Sequence, residues 1–481
     1  MKWKVTFREF DVSEPSANRD RPYDGRTGGP GPVDDDRPEP DREPPPPPSR
    51  LNRVVNRAPP PPLPASAGPA AEPPEESTLR HFGHLADDVR DRLFLVDPGH
   101  FTPDGDAAVL ATALGATLYS PATRSTLRTD IRKQAAQGVV SMVLCLEDAI
   151  ADHEVPAAEA NLVARLGELW TEVTEGVDVT GTSTACTQDL PLVFVRVRTA
   201  AQLTDLAGRL GPAIGLLTGF VLPKFTEETG GEFLEALATA EATTGRRLFA
   251  MPVLESPELA HLETRRDQLF GIARLLDKYR ERVLAVRLGV TDLCSAYGLR
   301  RSPDLTAYDV ALVASVIGDV VNVLGRADGT GFTVTGPVWE YFPVQERMFK
   351  PQLRRTPFAE AEPSREAVRR RIIEHDLDGL IREIELDRAN GLLGKTCIHP
   401  SHVPAVHALS VVTHEEYSDA RDILQQERGG GGVLRSAYTN KMNEAKPHRA
   451  WAERVLLRAE VFGVAREDVS FAELLSACLC R

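Results

Sequence analysis

Acidic and basic residues in this chain gather where apolar runs stop. "VVSMVLCLEDAI" (residues 139–150) is apolar but for one Ser over eight residues, then presents Glu147 and Asp148 side by side. "LPLVFVRVR" (190–198) closes on Arg196 and Arg198, "GFVLPKF" (219–225) carries Lys224, "RLFAMPVLE" (247–255) ends on Glu255, and "VLAVRLGVTD" (283–292) ends on Asp292. Carboxylates and cations of this kind can neutralise one another as a structural network. They can also hold a divalent cation and an anionic substrate. Mg²⁺ takes oxygen ligands, commonly one or two carboxylates completed by water and substrate oxygens. A guanidinium satisfies a carboxylate or enolate with paired N–H bonds. Glu255 and Asp292 suit the metal role, and Arg196, if it points inward, suits the anion. Each also has a plainer explanation. Asp292 could cap the turn "DLCSAYG", Glu255 could merely precede the Ser256 cap and Pro257, and Arg196 could pair with Glu147.

The elements that must bring these groups together are legible as alternation. Short β-rich runs, beginning with "ATLYSPA" (116–122) and ending with "KTCIHP" (395–400), alternate with amphipathic patterns such as "PAAEANLVARLGELW" (156–170). Continuous apolar strands between helices imply a parallel sheet with both faces covered. Eight such units predict a (β/α)₈ TIM barrel, a fold of roughly 250 residues. An open doubly wound sheet is the rival, but "SPATRST" after the first strand is not its glycine-rich phosphate turn. In a barrel the chemistry sits at the strands' C-terminal ends. Read in order, those ends give Arg124, Glu147 with Asp148, Arg196 with Arg198, Lys224, Glu255, Asp292 and His399. Only the seventh, near Gly336 and Pro337, lacks a titratable group.

The remainder of the 481 residues divides around that barrel. Residues 1–76 hold proline runs such as "DREPPPPPSR" and are expected to form a disordered tail. The barrel domain is expected over 77–410 and a C-terminal helical extension over 411–481. A net charge of -14 disfavours nucleic acid and anionic membrane as partners. No apolar run approaches the roughly 20 residues of a membrane span, and no secretory signal is expected. The six cysteines are scattered, which suits reduced thiols and a cytoplasmic location. "ANGLLGKT" (389–396) imitates a phosphate-binding P-loop, but a helical pattern precedes it and a strand follows, the reverse of the required order. His399 and His402 lack further metal ligands nearby in sequence, so His399 is expected to act behind the site.

"LYSPATRSTL", "VLCLEDAI", "FVRVRT", "LPKF", "PVLESPE", "GVTDLCSAYG" and "GKTCIHPSHV" resemble, in order and spacing, the motifs of the HpcH/HpaI aldolase and citrate lyase beta-subunit family. The similarity is greatest to a carbon–carbon bond lyase branch associated with tellurium-resistance gene sets. It runs from Leu114 to Val464 and includes "GGGGVLRSAYTNKMNEAKPHRAWAERVL" beyond the barrel. The resemblance implies Mg²⁺ on Glu255 and Asp292, with Arg196 on a 2-oxo acid carboxylate or its enolate. It implies substrate contacts from Arg124, and roles for Glu147 and Asp148 in orienting Arg196 and metal-bound water. Family members often assemble as trimers or hexamers. Departures are plain. "LDLEDA" reads "LCLEDA", so Cys145 replaces an acid; "VRVN" reads "VRVR", adding Arg198 to the substrate side; Glu444 stands near, not at, the family's acidic position after "KM". These leave the metal chemistry in place and put the acyl-CoA substrate of familiar members in doubt. The reading is a Mg²⁺-dependent lyase of the retro-aldol or retro-Claisen type, acting on a 2-oxo acid or a CoA thioester. Its competitor is an inactive barrel serving as a scaffold, with the proline-rich tail recruiting partners. The segment 340–365, with its basic cluster, is either a lid over the mouth or a solvated loop.

Overall fold

The computed structural model describes residues 78–175, 190–342, 377–429 and 432–479. The proline-rich tail, most of the 340–365 segment, Cys186 and Cys480 lie outside the described residues.

A short strand β1 (Phe94–Val96) precedes eight parallel strands: β2 (Ala116–Pro121), β3 (Ser141–Cys145), β4 (Leu192–Arg196), β5 (Leu217–Leu222), β6 (Phe249–Leu254), β7 (Val286–Leu288), β8 (Val334–Thr335) and β9 (Lys395–Cys397). Each of the eight apolar runs is thus a strand. Their order is β8-β7-β6-β5-β4-β3-β2-β9, and a bridge between Gly336 and Lys395 brings the two ends together. That seam is made by Gly336, whose N–H donates to the Gly394 carbonyl at 3.2 Å and whose carbonyl accepts from Thr396 at 3.2 Å. A Cβ at Gly336 would stand 2.6 Å from both Gly394 O and Asp387 Oδ2, so a side chain there would part the strands. The expected TIM barrel is the fold.

Strand residues are buried on both faces, which is why they read as continuous apolar runs rather than alternations. One face packs the barrel interior and the other packs the helices. Helix Val155–Glu175 shows the pattern: Ala158, Leu162, Leu166 and Leu169 recur at helical spacing and are all buried in the layer between barrel and helices. Each fully buried leucine contributes about 1.5–3 kcal/mol. Side-chain caps start the helices where the strands' loops end. Thr199 Oγ1 accepts from the Gln202 N–H at 3.1 Å, and Thr226 Oγ1 accepts from the Thr229 N–H at 3.1 Å.

Beyond the barrel, helices His414–Arg428 and Ala445–Phe462 enclose a small core of their own around Ile423, Val455 and Ala459. The strand Val464–Ala465 then pairs antiparallel with β1, tying this part back to the start of the described chain. "ANGLLGKT" proves to be a helix stop. Helix Asp378–Ala389 ends at Asn390, Gly391 turns at φ +88°, and Lys395 enters β9. The turn opens into a strand, so no helix N-terminus stands there to receive a phosphate. Among the described residues no helix is long and apolar enough to cross a membrane.

Candidate active site

β3, β4, β5 and β6 deliver five charged side chains to one point over the barrel mouth. Arg196, the last residue of β4, is inward-facing with its side chain 11 % exposed. Its Nη2 lies 2.7 Å from Glu147 Oε2, 3.0 Å from Asp148 Oδ2 and 2.9 Å from Glu255 Oε1. All three carboxylates use that one nitrogen. Nε is buried and has no acceptor. Lys224, in the loop after β5, sends Nζ to Glu147 Oε1 and stands 3.4 Å from Asp148 Oδ1. Its main-chain N–H donates to Glu255 Oε1 at 3.0 Å. To do both, Lys224 takes φ +46°, a left-handed conformation uncommon outside glycine.

Glu255 rests against Gly289 in the turn that follows β7. A Cβ there would come within 2.2 Å of Glu255 Oε2, so only glycine leaves room for the carboxylate. Three residues on, Asp292 sits in the first turn of helix Val290–Ser295. It is inside the helix, not at its N-cap, which is Gly289; the capping explanation of this residue fails.

The electrostatics of the two carboxylates are alike. Burial pushes Glu255 up to about 7, and Asp292 and Glu147 push in the same direction against Arg196 and the Lys224 N–H. Asp292 is raised by burial and then by Asp148, against Lys224 and Arg196. Among the described residues no Lys or Arg forms an ion pair with Asp292, and the hydrogen bonds to Glu255 end on Oε1, leaving Oε2 over Gly289. The pair is therefore short of positive charge. Its neighbours divide. Burial and the Asp148 carboxylate raise Glu147, whereas Asp148, despite its own burial, is held low by bonding to Glu147 and by the two cations. Arg196 is lowered by burial, but Glu255, Tyr119 and Glu147 more than restore it, so it stays charged.

Two carboxylates with oxygens left over after their protein contacts are what Mg²⁺ requires of a protein, since waters and substrate fill its other positions. Among the described residues no group of three or more His, Cys, Asp or Glu is arranged to hold a metal ion, so a cage made by protein alone is absent there. The donor set fits Mg²⁺ and does not fit zinc.

Arg198 and Arg124 are placed differently. The Arg198 guanidinium turns onto the loop after β3, donating to the carbonyls of Leu146 (2.7 Å), Glu147 (3.2 Å) and Ile150 (2.9 Å) and to Asp152 Oδ1 (2.6 Å). It fastens the loop that carries Glu147 and Asp148. Arg124 stands beyond the end of β2 with its side chain half exposed, paired through Nε with Asp130 at 2.7 Å. His399 stacks on Phe342 with ring centroids 4.9 Å apart, and its Nδ1 meets Ser401 Oγ at 2.7 Å. Glu444 is exposed at the N-cap of helix Ala445–Phe462, and among the described residues no hydrogen bond or ion pair joins it to Glu147, Asp148, Arg196 or Glu255. Cys145 is buried and free. Sequence reasoning put Lys224 at the mouth but gave it no part in the site; its positive φ, which lets one residue hold two carboxylates, has no sequence signature.

A family model described as a C-C bond lyase of the TIM-barrel fold matches residues 108–464, most of the chain. The match does not bear on the tellurium-resistance association. Among solved structures, the chain is similar to the protein CitE from Mycobacterium tuberculosis in complex with magnesium, acetoacetate and coenzyme A, at 20% identity over 73% of this chain and 99% of that one, TM-score 0.44. A citrate lyase from Burkholderia xenovorans LB400 is similar at 15% identity over 75% and 96%, TM-score 0.48. The magnesium/glyoxylate complex of Haloferax volcanii malate synthase follows at 14% identity over 60% and 73%, TM-score 0.40. These likenesses say nothing of this chain's own chemistry. No curated protein matches it. From the family match, the chain belongs to the carbon–carbon bond lyases of the TIM-barrel fold.

Proposed function

We propose that this lyase is Mg²⁺-dependent and breaks or forms a bond next to the carbonyl of a 2-oxo acid, or of a CoA thioester, in the retro-aldol or retro-Claisen manner. The observation that carries the reading is the charge deficit at Glu255 and Asp292, at a mouth where Arg196 keeps a buried N–H without an acceptor. Glu255 and Asp292 would hold the ion. Mg²⁺, when bound, supplies the positive charge that draws electron density from a substrate carbonyl. Arg196 supplies the fixed donors: Nη2 is committed to three carboxylates and Nε is buried, so Nη1, which makes no hydrogen bond among the described residues, is left for the substrate oxygen on which negative charge grows. Glu147, Asp148 and Lys224 hold that guanidinium and each other, so it is already oriented when substrate arrives. Arg198 contributes by fastening their loop. Arg124, half exposed and paired with Asp130 through Nε, would add a substrate contact.

Assembly as a trimer or hexamer, a cytoplasmic location and the division at 1–76, 77–410 and 411–481 belong to the same proposal and rest on the resemblance and the sequence. The test is exchange of pyruvate methyl protons for deuterium, followed by NMR. Exchange is expected with Mg²⁺ and none without it. Equal rates in both conditions would contradict the proposal.

A further inference from the structure

At the end of the barrel opposite the mouth, where β8 and β9 begin, lies a cavity of 750 Å³. Its walls come mainly from three distant stretches, the loop around residues 326–333, the end of helix Asp378–Ala389 with the turn after it, and helix Ala445–Phe462, with Thr112 and Glu416 added from two other helices. Four arginines line it. Arg326 Nε donates to Asn322 O at 2.9 Å, Arg388 Nη1 to Leu409 O at 3.3 Å, and Arg454 Nη2 to Gly325 O at 3.0 Å. These are main-chain acceptors, and among the described residues none of the three forms an ion pair. Arg458, 8 % exposed, meets Glu416 Oε2 at 2.6 Å, yet its Nε is buried with no acceptor. Arg388 stands close enough to repel it. Three glutamates also line the cavity, but Glu416 is engaged by Arg458 and Glu453 by Arg449 at 2.9 Å. The balance is positive and the guanidinium groups are under-used. Trp451, 40 % exposed, adds an indole to the wall.

Arginines with spare N–H groups on two helices suit phosphoryl oxygens, which take paired donors. The volume lies within the roughly 300–1,000 Å³ of small-molecule sites and far exceeds a lone phosphate. An exposed indole beside such a cluster offers a stacking face to a planar base. We propose that this cavity is a second ligand site for a phosphorylated molecule of the nucleotide class, its phosphates on Arg388, Arg454 and Arg458 and its ring on Trp451. The P-loop-like run takes no part as such. Ala389 and Gly391 form some of the wall, but Lys395 is buried against Glu383 and Asp387. The site lies away from Glu255 and Asp292, so its occupant leaves the mouth open.

Isothermal titration of the full chain with ADP, and separately with inorganic pyrophosphate, tests this. Both probes are expected to bind saturably. Arg388→Ala combined with Arg454→Ala, both exposed positions, should weaken each probe about tenfold or more. Trp451→Ala should weaken ADP about tenfold and leave pyrophosphate unchanged. Absence of saturable binding by either probe would overturn the proposal, as would binding indifferent to the arginine substitutions. Equal effects of Trp451→Ala on the two probes would overturn the nucleotide assignment.

Discussion

Two clusters of carboxylates and cations lie within one barrel, and they are built on opposite plans. Beside β9, Lys395 Nζ is fully buried at 2.8 Å from Glu383 Oε1 and 2.6 Å from Asp387 Oδ2. Arg301 Nη1 takes Glu383 Oε2 at 2.5 Å, Tyr308 donates to Asp387 Oδ1 at 2.9 Å, and the Ala307 N–H donates to Glu383 Oε2 at 2.7 Å. Every oxygen of Glu383 and Asp387 has a partner, although Arg301 Nε, 3.6 Å from Glu340 Oε2, is itself without a hydrogen bond. At the mouth, three acids crowd one nitrogen of Arg196, Asp292 has no ion pair among the described residues, and the bonds to Glu255 all end on Oε1. Burial alone does not separate the two clusters; how fully the carboxylate oxygens are satisfied does. The finished cluster locks helix Asp378–Ala389 against the seam at Gly336. On the proposed reading, the unfinished one is completed by metal and substrate.

The contrast can be broken at either end. The largest stability effect is expected from Lys395→Met, which strands two buried carboxylates and should cost about 3–5 kcal/mol by denaturant unfolding. The remaining folded enzyme should turn over at its usual rate. A mild loss would mean that the network is no lock. Arg196→Ala should lower turnover by about 10²–10³ while leaving Mg²⁺ affinity nearly intact. If metal binding falls in step with rate, Arg196 is holding the site's shape rather than the substrate.

A smaller effect concerns pH. Glu255, pushed up to about 7 from an ordinary value of 4.5, holds its proton more tightly when folded than when unfolded. Its contribution to stability is therefore full below about pH 4.5 and is lost as pH rises through about 7, a change of roughly 3 kcal/mol at most. Metal-free protein should lose stability between pH 5 and about 8 relative to Glu255→Gln, and Mg²⁺, which binds the charged form, should reverse the loss. Parallel profiles for the two proteins would remove the charge deficit from the account.

What could be read from the residues, and what could not, follows from range. The strands were legible because parallel strands buried on both faces are unbroken apolar runs, and Glu147, Arg196, Glu255 and Asp292 stand where those runs stop. Alternation put Arg196 and Arg198 on one face but could not say that Arg198 would close on the carbonyls of Leu146, Glu147 and Ile150. Partner choice depends on how the β3 loop folds back, which no local pattern records. The left-handed Lys224, the pairing of Phe94 with Ala465 and the arginine cavity share that origin. Each exists only once segments remote in sequence have met.

The central claim is that Glu255 and Asp292 are one cation's ligands. Calorimetric titration of Mg²⁺ into the wild-type chain and into Asp292→Ala, with thermal unfolding of each, tests it most directly. The account predicts saturable binding and Mg²⁺-dependent stabilisation in the wild type, both abolished by the substitution. Undiminished Mg²⁺ stabilisation of Asp292→Ala would contradict it.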